Sequence, residues 1–481
     1  MNFAIVRYLI GWMLGIESIF LLLPALTAVI YGEPELPAYL IAAAISLAGA
    51  ALLCHRKPKN TRFYAREGYV TVALCWLILA VIGALPFVLS REIPFFIDAL
   101  FETVSGFTTT GATILGDVEA LSHASMLWRC LTHWVGGMGV LVFMLIVLPL
   151  AGGQTIFLMR AESPGPSVSK MSPRMRDTAT ILYAIYFGLT VLQMILLLIG
   201  GMPLFDAICV SLGTAGTGGF GNWNDSIAHY NSAYLQNVIT VFMILFGINF
   251  SAYFLILTRK FRQAFRIEEI RVYLGVIFVF AGLIAFNVRP MFGSLRESFH
   301  HALFQVASII TTTGFSTVDF DQWPTFSRAL LVLLMFIGAC AGSTGGGIKC
   351  SRILLLGKSV KKELMCLIHP RLVRVNKMDG QRVPHEVMRS INVFVVAYAF
   401  IFILSLLIIS LNCEDLVTCF TPVATTLNNV GPGLSLCGPT CNFGFFPPLS
   451  KGVLIFDMLA GRLELFPMLL LFTPGTWQRN K

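Results

Sequence analysis

The sequence predicts an all-α polytopic membrane protein, with two N-terminal transmembrane helices followed by four tandem repeats. Two observations carry this prediction. The 481 residues are 56% hydrophobic and 12% charged, with a mean hydropathy of +0.78, whereas globular proteins carry about 25% charged residues. The segment Thr108-Thr109-Thr110-Gly111 recurs about 200 residues later as Thr311-Thr312-Thr313-Gly314, which indicates an internal duplication.

The duplication extends upstream and includes two more distant copies. Ala99, Leu100, Phe101 and Ser105 precede the first copy at the offsets at which Ala302, Leu303, Phe304 and Ser308 precede the second. Shorter apolar runs also lead into Ala215-Gly216-Thr217-Gly218 and Asn428-Asn429-Val430-Gly431. Four short apolar runs that each end at a glycine suggest four copies of one unit.

Apolar runs of about 20 residues predict the spanning helices. The run from Tyr8 to Ile30 is too long for a cleavable signal and is interpreted as the first of them. Ten spans are predicted in all, near 8–31, 36–54, 69–90, 124–150, 179–201, 234–258, 270–288, 326–356, 390–411 and 450–473.

Four further apolar runs have only about half the length that a span needs. They lie near 96–107, 204–213, 298–310 and 415–427 and are interpreted as re-entrant helices. An extended return segment leaves backbone polar groups unpaired in hydrocarbon, which is tolerated where the segment lines a water-filled path inside protein. A central pore follows, with pore helices and filter loops as its walls.

The distribution of basic residues predicts the orientation. Alternate loops hold clusters such as Arg56 to Arg66, Arg160 to Arg176 and Arg259 to Arg271, and the segment from Lys349 to Arg389 adds ten more. By the positive-inside rule, both termini and these loops are cytoplasmic, and the four glycine sites lie in the outer half of the membrane. The predicted units are residues 1–68 for the two N-terminal helices and 69–178, 179–269, 270–388 and 389–481 for pore repeats 1 to 4.

The residues at the four loops suit a monovalent cation. Backbone carbonyls dehydrate such an ion without a fixed charge that would trap it, and glycine lets those carbonyls turn inward. The residue before the glycine is interpreted as Thr110, Thr217 and Thr313 in three walls and as Val430 in the fourth. The predicted ion-filter residues are Thr109, Thr110, Gly111, Thr217, Gly218, Gly219, Thr312, Thr313, Gly314, Asn429, Val430 and Gly431.

Two features below the predicted filter also stand out. The stretch from Gly338 to Gly347 is too rich in glycine to remain helical, and it lacks the Gly-Lys-Ser/Thr ending of a phosphate-binding loop. Arg462 is predicted to lie well inside the last span, where a charge usually marks an ion path. Glu464 is expected to serve packing or a dimer contact.

The repeated Thr-Thr-Thr-Gly loops and the final Asn-Asn-Val-Gly-Pro-Gly-Leu segment, 428–434, resemble the Trk/Ktr/HKT potassium transporter superfamily, most closely its bacterial Trk branch. The resemblance covers essentially the whole chain. It implies K⁺ as the transported ion, a homodimer with one pore per subunit, and a cytoplasmic nucleotide-binding regulatory subunit of the RCK type. It also implies a gate beneath the filter, formed by Gly342, Ser343, Thr344, Gly345, Gly346 and Gly347 together with Arg462.

The resulting hypothesis is a channel-like potassium uptake protein of the bacterial inner membrane, not an enzyme, with no organic cofactor and no nucleic-acid partner. Alternatives remain open: a K⁺ symporter driven by Na⁺ or H⁺, with Glu17 and Glu464 as the main carboxylates, or a membrane-embedded transferase or hydrolase using His133 or His369. The segment 349–389 could bind anionic lipids or the regulator. Cys437 and Cys441 could form a disulfide or stay reduced.

Overall fold

The computed structural model describes residues 1–58, 64–147, 175–371, 375–413 and 415–477. The described chain is helical apart from loops and a hairpin of two short strands, β1 (Lys377–Met378) and β2 (Gln381–Arg382), joined by a turn at Asp379 and Gly380. Three long helices come first. They are α1 (Phe3–Tyr31), α2 (Leu36–Cys54) and α3 (Ala65–Ser90).

The four short helices predicted from the half-length apolar runs are all present. They are α4 (Phe96–Phe107), α7 (Leu204–Gly216), α12 (Leu295–Ile310) and α16 (Leu416–Asn428). Two further helices flank each short helix. α4 lies between α3 and α5 (His123–Val147), and α7 lies between α6 (Met175–Ile199) and α8 (Ala233–Phe246). α12 lies between α11 (Glu268–Val288) and α13 (Thr325–Ile337), and α16 lies between α15 (His385–Ile409) and α17 (Pro448–Arg462). Each short helix packs against both of its flanking helices.

Five further helices occur in the described part of the chain. They are α9 (Phe250–Leu257), α10 (Phe261–Ala264), α14 (Cys350–Ile368), α18 (Phe466–Leu471) and α19 (Pro474–Trp477). Single turns of 3₁₀ helix occur at Ser226–His229, Arg289–Met291, Phe320–Gln322, Ser410–Asn412 and Ser435–Cys437.

In the part of the chain that the structure describes, three of the ten predicted spans are broken, and only the break within 326–356 was expected from the sequence. Within the described residues, six helices are long and apolar enough to cross a membrane, or seven if the bent pair α8 and α9 counts as one span. The predicted span 234–258 bends by 92° between these two helices. The predicted span 326–356 is divided between α13 and α14, and 450–473 between α17 and α18.

Backbone conformation explains two of these breaks. Gly338, Gly342 and Gly347 have positive φ angles of 69°, 73° and 76°, which a right-handed helix cannot contain. The predicted unwinding of this stretch is confirmed. In the last span, Glu464 and Leu465 have φ angles of 60° and 65°, so the helix ends at Arg462.

Candidate functional site

The four filter loops share one backbone conformation. Within two residues after the end of each short helix comes a residue with a left-handed φ of 54–59°. These residues are Thr109, Thr217, Thr312 and Asn429, and each is followed two positions later by a glycine with φ of 80–97°. Between them, the backbone N–H of Thr110, Gly218, Thr313 and Val430 donates to the carbonyl five residues earlier, at 2.8–2.9 Å. This repeated cap satisfies helix-end carbonyls and sends each chain outward in the same direction.

The second loop is displaced by one residue from its predicted register. The glycine equivalent to Gly111, Gly314 and Gly431 is Gly219, not Gly218. The residue before it is therefore Gly218 rather than Thr217, so the prediction of three threonine walls was wrong. The four equivalent residues are Thr110, Gly218, Thr313 and Val430.

The four loops meet in a closed ring. A Cβ atom added to Gly111 would lie 2.0 Å from the Gly218 carbonyl oxygen, and one added to Gly219 would lie 1.9 Å from that of Thr313. The ring continues from Gly314 to the Val430 carbonyl at 2.5 Å and from Gly431 to the Thr110 carbonyl at 2.6 Å. Each glycine thus lies against the carbonyl of the next loop, and no side chain fits at any of the four positions.

Threonine hydroxyls reinforce the first and third loops in the same way. Thr108 Oγ1 lies 2.8 Å from Thr110 Oγ1, and Thr311 Oγ1 lies 2.7 Å from Thr313 Oγ1. All six threonines of these two loops are fully buried. The hydroxyls of Thr108, Thr110, Thr311 and Thr313 therefore serve the loops' internal hydrogen bonding and stiffen the backbone behind the carbonyl ring.

Asn429 links the fourth loop to its neighbours. Its Nδ2 donates to Thr110 Oγ1 at 3.0 Å and to the Met458 carbonyl on α17 at 2.9 Å. An amide with two donors can bridge a loop and a helix at once. The fourth loop is thus held by a side-chain bridge where the first and third use threonine pairs.

His133, which the alternative enzyme hypothesis used as a catalytic residue, joins the first two loops. Nδ1 lies 2.8 Å from the Gly106 carbonyl, and Nε2 lies 3.2 Å from the backbone nitrogen of Phe220. Because a carbonyl only accepts and an N–H only donates, Nδ1 carries the proton and Nε2 accepts. Both ring nitrogens of the neutral imidazole are engaged, which leaves neither for catalysis.

The same imidazole explains the glycine at 218. A Cβ atom on Gly218 would lie 2.1–2.4 Å from three atoms of the His133 ring. In the second loop, the ring of His133 occupies the space into which a threonine side chain would extend.

A buried ion pair supports the first loop, and sequence reasoning missed it. Arg129 Nε donates to Glu102 Oε1 at 2.8 Å, and Glu102 also accepts from Thr113 Oγ1 and from the Ile114 backbone at 3.0 Å. The side chains of Arg129 and Glu102 are 1% and 0% exposed, so the additional hydrogen bonds are what make such a pair tolerable. The sequence did contain a signal for this pair, because Glu102 and Arg129 are charged residues within two otherwise apolar segments.

Next to the ring lies a vestibule lined by all four filter glycines and by residues that follow them in each of the four loops. Asn224 holds two of these loops together, since it accepts from the Val118 backbone at 2.9 Å and donates to Asp117 Oδ1 at 2.8 Å. The latter bond lowers the pKa of Asp117 below its ordinary value. The lining residues outside the filter include Thr113, Phe220, Ser316, Pro432 and Asn442.

Acids near the starts of the short helices have three different partners. Asp415 caps α16, because its Oδ2 accepts from the Thr418 backbone at 3.0 Å. Asp98 instead pairs with Lys451 at 2.6 Å. Asp206 accepts from Asn222 at 2.8 Å and from the Tyr230 hydroxyl at 2.6 Å. Asp98 thus joins α4 to α17, and Asp206 fixes the loop that follows the second short helix, so neither acts as a helix cap.

The glycine-rich loop lies directly against the side of the ring at which the short helices end. The Gly346 N–H donates to Thr312 Oγ1 at 2.6 Å. A Cβ on Gly345 would lie 2.8 Å from the Thr311 carbonyl, and one on Gly346 would lie 2.6 Å from that of Asn428. The loop from Gly338 to Lys349 therefore crosses beneath the third and fourth filter loops.

Arg462 connects this loop to α5. Its Nη1 donates to the Thr344 carbonyl and its Nη2 to the Gly136 carbonyl, both at 2.7 Å. The residue is the last of α17, not a central residue of a longer helix as predicted. There the negative end of the helix dipole favours a cation, which offsets part of the cost of placing a charge at that depth.

Glu464, expected to serve packing or a dimer contact, pairs with Arg352 within the chain. Arg352 Nη1 lies 3.2 Å from Glu464 Oε1, Nη2 contacts Oε2, and the guanidinium lies 4.1 Å from the centre of the Phe394 ring. Arg352 is in the first turn of α14, directly after the glycine-rich loop. The pair therefore anchors the end of that loop to the segment that follows Arg462.

Comparison with known proteins gives consistent results over the whole chain. Residues 37–478 match the family model TrkH, described as a cation transport protein. The chain belongs to the TrkH family of cation transport proteins. It is 38% identical over 485 residues to the Trk system potassium uptake protein TrkH of Salmonella typhimurium, covering 99% of this chain and all of that protein.

Two further relatives extend the comparison. The chain is 33% identical over 479 residues to the Trk system potassium uptake protein TrkG of Escherichia coli, with 98% of each chain covered. The crystal structure of the potassium transporter TrkH from Vibrio parahaemolyticus matches with a TM-score of 0.89 and 33% identity, covering 99% of this chain and 100% of that one.

Membership of this family agrees with the side-chain chemistry of the described residues. Among them, no group of three or more histidine, cysteine, aspartate or glutamate side chains could hold a metal ion. The described cysteines are all free, including buried Cys437 and exposed Cys441. The candidate ion site is the ring of backbone carbonyls in which each filter glycine lies against the next loop.

Proposed function

We propose that this chain is a gated, channel-like pathway for potassium uptake across the bacterial inner membrane. The observation that carries the proposal is the closed ring in which each filter glycine lies against the carbonyl of the next loop. The printed names of its relatives, which are potassium uptake proteins and a potassium transporter, support K⁺ as the ion.

Dehydrated K⁺ would bind the carbonyl oxygens of Thr110, Gly218, Thr313 and Val430. Carbonyl dipoles replace the hydration shell without adding a full charge, so that the ion can leave again. The residues with left-handed φ, Thr109, Thr217, Thr312 and Asn429, set the direction of these carbonyls, and the glycines after them allow the four loops to approach. Four helix C-termini aimed at the ring add further negative potential.

The loop 342–347 and Arg462 form the proposed gate. The loop crosses beneath the filter, and Arg462 holds it to α5 through the Thr344 and Gly136 carbonyls. A fixed positive charge beside a dehydrated path raises the barrier for a cation. Opening would require that these two hydrogen bonds break and the loop withdraw.

The surrounding assembly is part of the same proposal. We infer four pore repeats with the boundaries given above, cytoplasmic termini, a homodimer with one pore per subunit, and a cytoplasmic RCK-type regulatory subunit that opens the gate. The helix α14 and the β1–β2 hairpin, both on the basic segment 349–389, are the surface through which that subunit would act. No observation favours an enzymatic activity.

A coupled symporter is the second candidate, and two buried carboxylates favour it. Both carboxylate oxygens of Glu17 lack a hydrogen-bond partner among the described residues, as does Oδ2 of Asp457, whose Oδ1 accepts from Ser405 at 2.7 Å. Intramembrane carboxylates of this kind take part in proton relays. Neither residue belongs to the filter or the gate loop.

Rubidium uptake into liposomes that contain the purified chain distinguishes the two candidates. A channel-like pathway predicts uptake that follows the rubidium gradient alone. An imposed proton or Na⁺ gradient that drives rubidium against its own gradient would establish coupling and overturn the channel proposal. Uptake equal to that of protein-free liposomes, with and without the regulatory subunit, would overturn both.

A further inference from the structure

A basic and aromatic cluster lies on the inner side of the molecule, outside both filter and gate. Residues 259–266, which we call the basic cluster, read Arg-Lys-Phe-Arg-Gln-Ala-Phe-Arg and connect α9 to α11 through α10. The four basic residues are exposed, and Phe261 and Phe265 are 52% and 71% exposed. Together they border one shallow cavity.

The basic side chains of the cluster have no acidic partner within the described residues. Other basic residues on the same side of the molecule do: Arg352 pairs with Glu464, and Lys358 with Glu268. A run of four unneutralised cations attracts an external anion. The two exposed phenylalanines between them favour an apolar environment. The cluster as a whole therefore suits a surface that is both anionic and apolar.

The position of the cluster meets that double requirement. The helix α9 leaves α8 at 92° and therefore runs across the direction of the spanning helix. The depth of the bend between α8 and α9 can be measured along α11. The Tyr273 hydroxyl on α11 donates to the Ile244 carbonyl near the end of α8. Tyr273 is the sixth residue of α11, so the bend lies about 8 Å from the inner end of that helix. This is the depth of the membrane interface, where amphipathic segments lie parallel to the surface.

We propose that the basic cluster binds the headgroups of anionic phospholipids, with Phe261 and Phe265 inserted at the acyl-chain boundary. Arg259, Lys260, Arg262 and Arg266 supply the charge for the lipid phosphate. This is a lipid site separate from the segment 349–389.

The segment that carries the cluster also touches the proposed gate. The backbone N–H of Phe250, the first residue of α9, donates to the Gly342 carbonyl at 3.0 Å. The Asn249 side chain lies 3.2 Å from the position of a Cβ on Gly342. Lipid bound at one end of this eight-residue helix therefore holds its other end against the gate loop. This consequence rests on the proposed function, whereas lipid binding does not.

The test compares two double variants of the full-length chain. Arg262→Gln with Arg266→Gln removes two charges from the cluster. Arg289→Gln with Arg296→Gln removes two exposed arginines at the opposite end of α11 and is the matched control. Retained lipid is measured by native mass spectrometry of protein purified from mixed phosphatidylglycerol and phosphatidylcholine vesicles, without any regulatory subunit.

We expect the cluster variant to lose phosphatidylglycerol affinity by about tenfold while the control retains it. Equal retention in both variants would overturn the proposal and indicate a surface for a soluble acidic partner. Rubidium flux is then measured in vesicles with and without phosphatidylglycerol. Flux of the unmodified chain should depend on that lipid, and flux of the cluster variant should not. Lipid binding without this dependence would overturn the link through α9, whereas absence of all flux would count against the proposed function alone.

Discussion

Single residues decide the geometry of the proposed filter, and the pair of His133 and Gly218 is the most specific case. The imidazole takes the volume that a side chain at 218 would need, and it bonds to the first loop at Gly106 and to the second at Phe220. Two filter loops thus share one support. A change at either residue acts on both loops.

We therefore predict coupling between these two positions. Gly218→Ala should reduce rubidium uptake strongly, because its Cβ collides with the ring, and His133→Ala should reduce it by loosening both loops. The double variant should recover part of the loss, since the collision is removed. A double-mutant cycle on uptake measures this, and strictly additive losses would contradict the assigned packing.

The ion pair between Arg352 and Glu464 holds the end of the glycine-rich loop and also depends on single residues. Breaking the Arg352–Glu464 pair by Glu464→Gln should lower the free energy of unfolding by about 2 kcal/mol, because the arginine keeps its charge in a mostly buried site. The thermal unfolding midpoint in detergent measures this. The exchange Arg352→Glu with Glu464→Arg should restore part of the stability. A midpoint unchanged by Glu464→Gln would show that the pair contributes nothing.

At the scale of elements, the glycine-rich loop and the end of α17 form the proposed gate as a unit. Replacing Arg462 with alanine removes both the charge and the two hydrogen bonds that hold the loop. A unit charge about 8 Å from the ion path contributes about 2 kcal/mol at an effective dielectric constant near 20. We expect unregulated rubidium uptake to rise at least about tenfold.

Uptake by Arg462→Ala is measured in liposomes without the regulatory subunit, with Arg289→Ala, an exposed residue after α11, as the control. An uptake rate equal to that of the unmodified chain would remove Arg462 from the gate. A rate that falls to zero with intact thermal stability would show that the residue is needed for conduction instead.

Element lengths were largely predictable from the sequence, whereas the breaks were not. The four short helices follow from apolar runs too short to span, and the unwound loop follows from its glycines. The end of α17 at Arg462 depends on left-handed residues at Glu464 and Leu465, which nothing local requires. The bend after α8 is likewise set by contacts with the glycine-rich loop, such as the bond from Phe250 to Gly342.

At the scale of the whole molecule, the four loops form one ring, to which each repeat contributes a quarter. Family membership and the exact repeats were readable from the sequence, because identical residues recur at fixed offsets. The register of the second loop was not, since it depends on His133, which lies on another helix about 85 residues earlier. The Arg129–Glu102 pair was missed for the same reason: its partners are adjacent only in the folded chain.

The same ring makes a direct test of the central claim possible. Gly314 has a φ of 87°, and a side chain there would meet the Val430 carbonyl, so Gly314→Ser displaces that carbonyl. Gly282→Ser, at an open position on α11 where a Cβ meets nothing within 4 Å, is the matched control. Both variants keep the net charge and add the same side chain.

The measurement is rubidium uptake into liposomes in competition with increasing K⁺ or Na⁺. For the unmodified chain and Gly282→Ser, we predict inhibition by K⁺ at much lower concentration than by Na⁺. For Gly314→Ser, the two inhibition curves should move together. Discrimination between K⁺ and Na⁺ that is unchanged in Gly314→Ser would contradict the assignment of the glycine ring as the filter.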